Sequence, residues 1–152
     1  MKKIILFILC STLITGVSTS CGSKTKSETS SETEKVINKA DAPDAKFVKL
    51  AEETNKTTPM PMPGGIRLDK AEAMSKREYK YSYTFTQAPT VSAEEFTRNV
   101  KSMLTYALQS TTGKDIDMFK DNKMIVYYAY YTMDGKLFAE VKLMPEDYIK
   151  QK

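Results

Sequence analysis

Residues 123–144 read KMIVYYAYYTMDGKLFAEVKLM, and this stretch decides the fold. Asp134-Gly135 suits a two-residue type I′ turn, because both central positions of that turn need positive φ. Centring a β-hairpin there pairs Val126 with Leu143, Tyr128 with Val141 and Tyr130 with Ala139. It also sets Thr132 opposite Leu137 and Met133 opposite Lys136. Side chains alternate across a strand. Val126, Tyr128, Tyr130, Leu137, Ala139, Val141 and Leu143 therefore share a core face. Ile125, Tyr127, Ala129, Tyr131, Phe138, Glu140 and Lys142 occupy the other. A lone two-stranded ribbon is marginal in water, so this one needs further elements to pack on.

Upstream, Tyr79, Tyr81, Tyr83 and Phe85 alternate with Lys80, Ser82 and Thr84, the pattern of a half-buried strand. With Ile66–Met74 and a turn at 75–78 this makes a first hairpin over residues 66–86. Its aromatic row reads as a core face. Aromatics interleaved with lysine can also form a stacking platform for bases or sugars. Ser92-Ala93-Glu94-Glu95 is a capping box. Phe96, Val100, Met103, Leu104, Ala107, Leu108 and Thr111 follow at helical spacing. They predict a helix over 93–112, stopped by Gly113, lying across the tyrosine row as its lid. Phe47, Leu50, Ala51 and Thr54 predict another helix over 43–55, started by Asp41, Pro43 or Asp44. The expected fold is α+β: a four-stranded antiparallel sheet of two hairpins with two helices on one face, in the order α-β-β-α-β-β.

Residues 57–65, TTPMPMPGG, place three prolines at alternate positions and predict an extended path without ladder hydrogen bonds. Met60 and Met62 are soft donors suited to Cu(I), but two thioethers without a third ligand do not make a site. Asp115, Asp117 and Asp121 lack the glycine and glutamate spacing of a calcium loop. They read as residues capping a short helical turn with Ile116 and Phe119 inward.

The N-terminus carries an address. Lys2-Lys3 precedes an apolar run that is too short to span a bilayer. Ser18-Thr19-Ser20 and then Cys21 follow it. This arrangement resembles a bacterial lipoprotein signal, with Thr19 and Ser20 at the small positions before the acylated cysteine. Ser18 stands where such signals usually carry leucine. The resemblance implies a signal peptide over 1–20, lipidation at Cys21 and a membrane anchor with palmitate-type chains. Gly22 after the cysteine implies the outer membrane, facing the periplasm. Residues 22–40 are mostly Ser, Thr, Lys and Glu, with little to bury. They read as a disordered tether reaching roughly 25 Å as a flexible coil. Residues 41–152 form the globular domain.

Composition narrows the function classes. The chain has 152 residues, two cysteines and no histidine. Removing Lys2 and Lys3 from the 23 basic residues leaves 21 against 19 acidic ones, a balance that argues against nucleic acid. No nucleophile–base pair, phosphate loop or metal-ligand cluster stands out, so no catalytic residue, cofactor or metal site is assigned. Paired carboxylates such as Glu94-Glu95 fit caps and solvent faces. Helix, hairpin, helix, hairpin, carried on TPMPMPGGIRLDK, YKYSYTF and YYTMDGKLFAEVKL, resembles a family of small bacterial secreted proteins and lipoproteins over residues 50–144. That resemblance implies an envelope location and no catalytic residues. The leading expectation is a lipid-anchored binding module whose second sheet face, with Tyr127, Tyr131, Phe138 and Lys142, meets an envelope protein or glycan. An inhibitor of an envelope hydrolase, acting through loop 59–65, is the alternative, and an enzyme comes last.

Overall fold

The computed structural model describes residues 41–149. The signal segment, Cys21 and the tether lie outside the described residues. Helix α1 spans Ala45–Asn55, capped by Asp44, whose carboxylate accepts the Lys46 amide at 3.0 Å. Strands β1 (Met60–Met62), β2 (Ile66–Ser75) and β3 (Glu78–Phe85) follow. Then come α2 (Ala93–Ser110), α3 (Lys114–Asp121), β4 (Ile125–Tyr131), β5 (Leu137–Leu143) and α4 (Pro145–Tyr148). The strands form one five-stranded sheet in the order β1-β2-β3-β4-β5.

Two features depart from the expected four-stranded antiparallel sheet. First, β3 and β4 pair in parallel, with Tyr79 beside Val126, Tyr81 beside Tyr128 and Tyr83 beside Tyr130. The reason is the connection. After β3 the chain makes one long helical pass, which returns it to the end where β3 began, and β4 must then run the same way. Second, residues 60–62 form a fifth strand on the edge, pairing Met60 with Leu68 and Met62 with Ile66. Prolines at alternate positions allow this. Pro61 stands between the two methionines that carry the ladder, so its missing N–H falls on the open edge.

The last hairpin keeps its predicted register from Val126–Leu143 to Tyr130–Ala139 and loses it at the tip. The loop has three residues. The Gly135 amide donates to the Thr132 carbonyl, and the Thr132 amide to the Lys136 carbonyl, both at 2.9 Å. Of Asp134 and Gly135 only the glycine has positive φ, at 80°. Tyr131 now pairs with Leu137, which leaves an extra residue opposite Tyr130. That bulge turns Phe138 and Ala139 to the same side. Leu137 is 56% exposed, whereas Phe138 packs on Phe85 at 5.2 Å and Phe96 at 5.7 Å.

Helix α2 begins as expected, with the Ser92 hydroxyl accepting the Glu95 amide at 3.2 Å. It ends at Thr111, which is extended, and Gly113 instead precedes α3 with φ 148°. Asn55, the last residue of α1, clamps β2: its amide donates to the Ala71 carbonyl at 2.8 Å and its oxygen accepts the Ala71 amide at 2.7 Å. The tail helix α4 closes the domain. Buried Tyr148 donates to the Met124 carbonyl at 2.5 Å, and Gln109 of α2 donates to the Asp147 carbonyl at 2.9 Å.

The bulge yields a test. Phe138→Ala is expected to cost about 2 to 3 kcal/mol, below the full-burial range because the ring is only half-buried. Leu137→Ala should stay within about 0.5 kcal/mol. Urea unfolding followed by circular dichroism measures both, and equal losses would contradict the bulged register.

Candidate partner-docking groove

The four residues expected to share an interaction face do not form one patch. Tyr127 and Lys142 are together on the open face of the sheet, with the ammonium 5.4 Å from the ring centroid. The Tyr127 hydroxyl donates to Glu78 at 3.0 Å. Tyr131 lies further along the same face, opposite Leu137. Phe138 is on the helix side, for the reason given above.

The open face is also largely self-paired. Lys70 meets Glu72 at 2.7 Å, and Lys80 meets Glu140 at 3.9 Å. Asp69 takes both Arg67 and the Thr84 hydroxyl at 2.5 Å. Partial burial works against the Asp69 charge, but these two donors hold its carboxyl below the usual range. Such a surface offers few unmet groups to a partner.

The helix side is different. Helix α1 lies over β2 and α2 over β5, so the helical layer covers the flanks of the sheet. Over the central strands β3 and β4 the floor is tyrosine. Tyr81 stacks on Tyr128 at 5.5 Å and 23°, and Tyr83 on Tyr130 at 5.2 Å and 16°. Tyr83 also lies 6.4 Å from Tyr128 at 16°, while Tyr81 and Tyr83 are tilted by 39° to each other. At one end Phe47, Tyr79 and Phe119 seal the core; at the other Phe85, Phe96 and Tyr130 do. Between them Tyr81 and Tyr83 are only half-buried, as are Leu50 of α1 and Val100 and Leu104 of α2. The expected lid is therefore incomplete, and an aromatic groove remains. The alternation of residues 79–85 pointed to this row, but the gap above it depends on helix placement.

The hydroxyls of this row sit in unequal surroundings. Tyr79 is fully buried, and its hydroxyl sits near those of Thr54 and Tyr81 without a hydrogen bond of good geometry. The Tyr81 hydroxyl lies beside that of Tyr79, and the well-formed tyrosine hydroxyl bonds among the described residues come from Tyr127 and Tyr148. Burial pushes Tyr79 and Tyr148 up to about 12 and also raises Tyr81, Tyr83, Tyr128 and Tyr130 well above the usual phenol range. Asp115, exposed at the start of α3, adds to the effect on Tyr79 and Tyr81. Among the described residues no cluster of His, Cys, Asp and Glu could hold a metal, and no helix is long and apolar enough to cross a membrane.

No protein-family model matches the chain, and no curated protein matches it. Solved structures do. A protein of Pseudomonas aeruginosa described as secreted aligns with TM-score 0.57 and 17% identity, over 68% of this chain and 90% of its own. A pilotin of the Vibrio vulnificus type 2 secretion system aligns with TM-score 0.52 and 12% identity, over 70% of this chain and 91% of its own. At these identities the likeness establishes a shared α+β fold.

Two predictions follow from the tyrosine row. Tyr79→Phe removes a buried hydroxyl that makes no hydrogen bond of good geometry, and should leave stability in urea unfolding unchanged or higher by up to about 1 kcal/mol. A loss of similar size would mean that the hydroxyl is bonded. Second, the folded state holds these six phenol protons more tightly than the unfolded chain, whose tyrosines titrate near 10. Their contribution is complete below that pH and falls as pH rises towards about 12 and beyond. Phenolate absorbance of the core tyrosines should therefore rise together with loss of circular dichroism. A gradual rise in a protein that stays folded would refute it.

Proposed function

We propose that this chain is a lipid-anchored protein of the cell envelope that holds an envelope protein partner in the groove over Tyr81 and Tyr83. The groove itself carries the reading. Tyr81 and Tyr83 are left half-covered between two helices, above buried Tyr128 and Tyr130. Leaving part of these rings uncovered forgoes burial worth about 25 cal/mol per Å² unless a partner supplies the missing cover. Tyrosine suits that task, giving apolar contact area and a polar end with few rotatable bonds. The lipobox-like residues before Cys21 support the anchor. The likeness to a pilotin, an accessory of a secretion machine by its name, is in keeping with a docking role. The self-paired open face is the weaker candidate.

Two measurements test the two halves. A clickable palmitate analogue should label the chain in growing cells, and Cys21→Ala should remove the label. A photo-cross-linking residue at Leu104, on the rim of the groove, should capture an envelope protein. The same residue at Lys70, on the open face, should not. Capture from position 70 alone would move the docking surface to the other side of the sheet.

A further inference from the structure

We infer that the outer edge of β5 is a second docking site, independent of the groove, which takes up an extended segment of another protein as an antiparallel strand with a Glu-x-Lys pattern. The two edges of the sheet differ. The sheet ends on β1 at one side and on β5 at the other. A free edge presents unpaired amides and carbonyls, and folded proteins blunt edges that would otherwise recruit strands. Strand β1 is blunted: it has three residues, and prolines stand in it and beside it. Strand β5 has seven residues and no proline. Its bulge lies at the first turn of the ladder, and pairing with β4 is regular from Ala139 to Leu143.

Successive residues of a strand turn their backbone groups to opposite sides, so alternate residues of 139–143 aim theirs away from β4. Among the described residues, hydrogen bonds other than the ladder with β4 reach this backbone at Lys136 and Met144 and at no residue between. A bare row of this kind is what strand addition uses. An antiparallel pairing of two copies of this chain is closed by the helix layer. Helix α2 lies over β5. Two β5 strands side by side would stand about 4.8 Å apart, and their α2 helices with them. Packed helices need about 8 to 10 Å. The added strand must therefore arrive without a helix above it.

Charge selects its sequence. Glu140 and Lys142 are exposed on the open face of β5. Lys142 belongs to no ion pair among the described residues, and Glu140 meets Lys80 only at 3.9 Å. Opposite charges directly across two strands attract, and like charges repel. In an antiparallel neighbour the residue across from Glu140 follows by two the one across from Lys142, which gives Glu-x-Lys. Its alternate residues continue the row of Ala139, Val141 and Leu143, all buried, and are therefore apolar.

The test titrates the full chain, in detergent, with three short peptides in which valine alternates with polar residues. One has the polar order Thr, Glu, Lys, Thr; the second exchanges Glu and Lys; the third keeps the first order but has proline for its central valine. Calorimetry should detect saturable binding of the first, binding of the second weaker by about two- to fivefold, and none of the third. Glu140→Lys combined with Lys142→Glu should reverse the preference between the first two by a similar factor. Both residues are exposed, and circular dichroism should show the variant folded. No binding of the first peptide would overturn the inference. So would equal affinity for the proline peptide, or an order preference that the charge exchange leaves unchanged.

Discussion

The parallel pairing of β3 with β4 governs the rest of the structure. It sets Tyr81 beside Tyr128 and Tyr83 beside Tyr130, and their rings meet face to face. An antiparallel pairing would place the same residues in another register and break the row. The pairing is itself imposed by α2, whose single pass down the sheet brings the chain back to the end where β3 started. Helix and aromatic row are thus two consequences of one connection. Phe96 at the head of α2, packing on Tyr130 at 4.8 Å, ties them together.

The same connection explains why the layer is incomplete. One pass places α2 over β5, and the Asn55 clamp on Ala71 holds α1 over β2. Short helices α3 and α4 fill one end through Phe119 and Tyr148. No further helix remains for the centre, so tyrosines both form the floor and partly close it. Large rings suit this, because they bury much area while their hydroxyls tolerate water. The cost appears at Tyr79, where closure is complete and the hydroxyl has lost water while gaining only poorly aligned neighbours in Thr54 and Tyr81.

Local rules carried the sequence reading where one interaction decides the outcome. The Ser92 cap depends on a single side chain. The register from Val126–Leu143 to Tyr130–Ala139 depends on alternation, and both appear as expected. The alternating row 79–85 placed Tyr79 and Phe85 in the core. What was illegible depended on competition between elements. Asp134-Gly135 fits either of two turns, and the three-residue one prevails because its bulge brings Phe138 onto Phe85 and Phe96. That exchange also removed Phe138 from the expected interaction face. The parallel pairing carries no local signal, since Tyr79–Phe85 would alternate identically beside an antiparallel neighbour. Gly113 looked like a helix stop because glycine alone takes positive φ freely, yet the left-handed residue that ends a helix here is Lys123, with φ 49° after α3.

The edges of the sheet bear on how a partner can approach. An open edge strand invites another strand to add to it. On β1 that route is closed by composition: Pro61 has no amide to give, and Pro59 and Pro63 repeat the gap on either side. Beyond β1, the exposed side of β2 is taken up by Asn55 at Ala71 and by the Asp41 carbonyl, which accepts the Lys76 amide at 3.1 Å. The prolines that looked in sequence like a presented loop thus act as an edge guard. A partner meeting this flank finds no backbone ladder to join, which turns recognition towards side chains. On the helix side, the half-covered side chains of the tyrosine floor between α1 and α2 are the ones that such recognition would use.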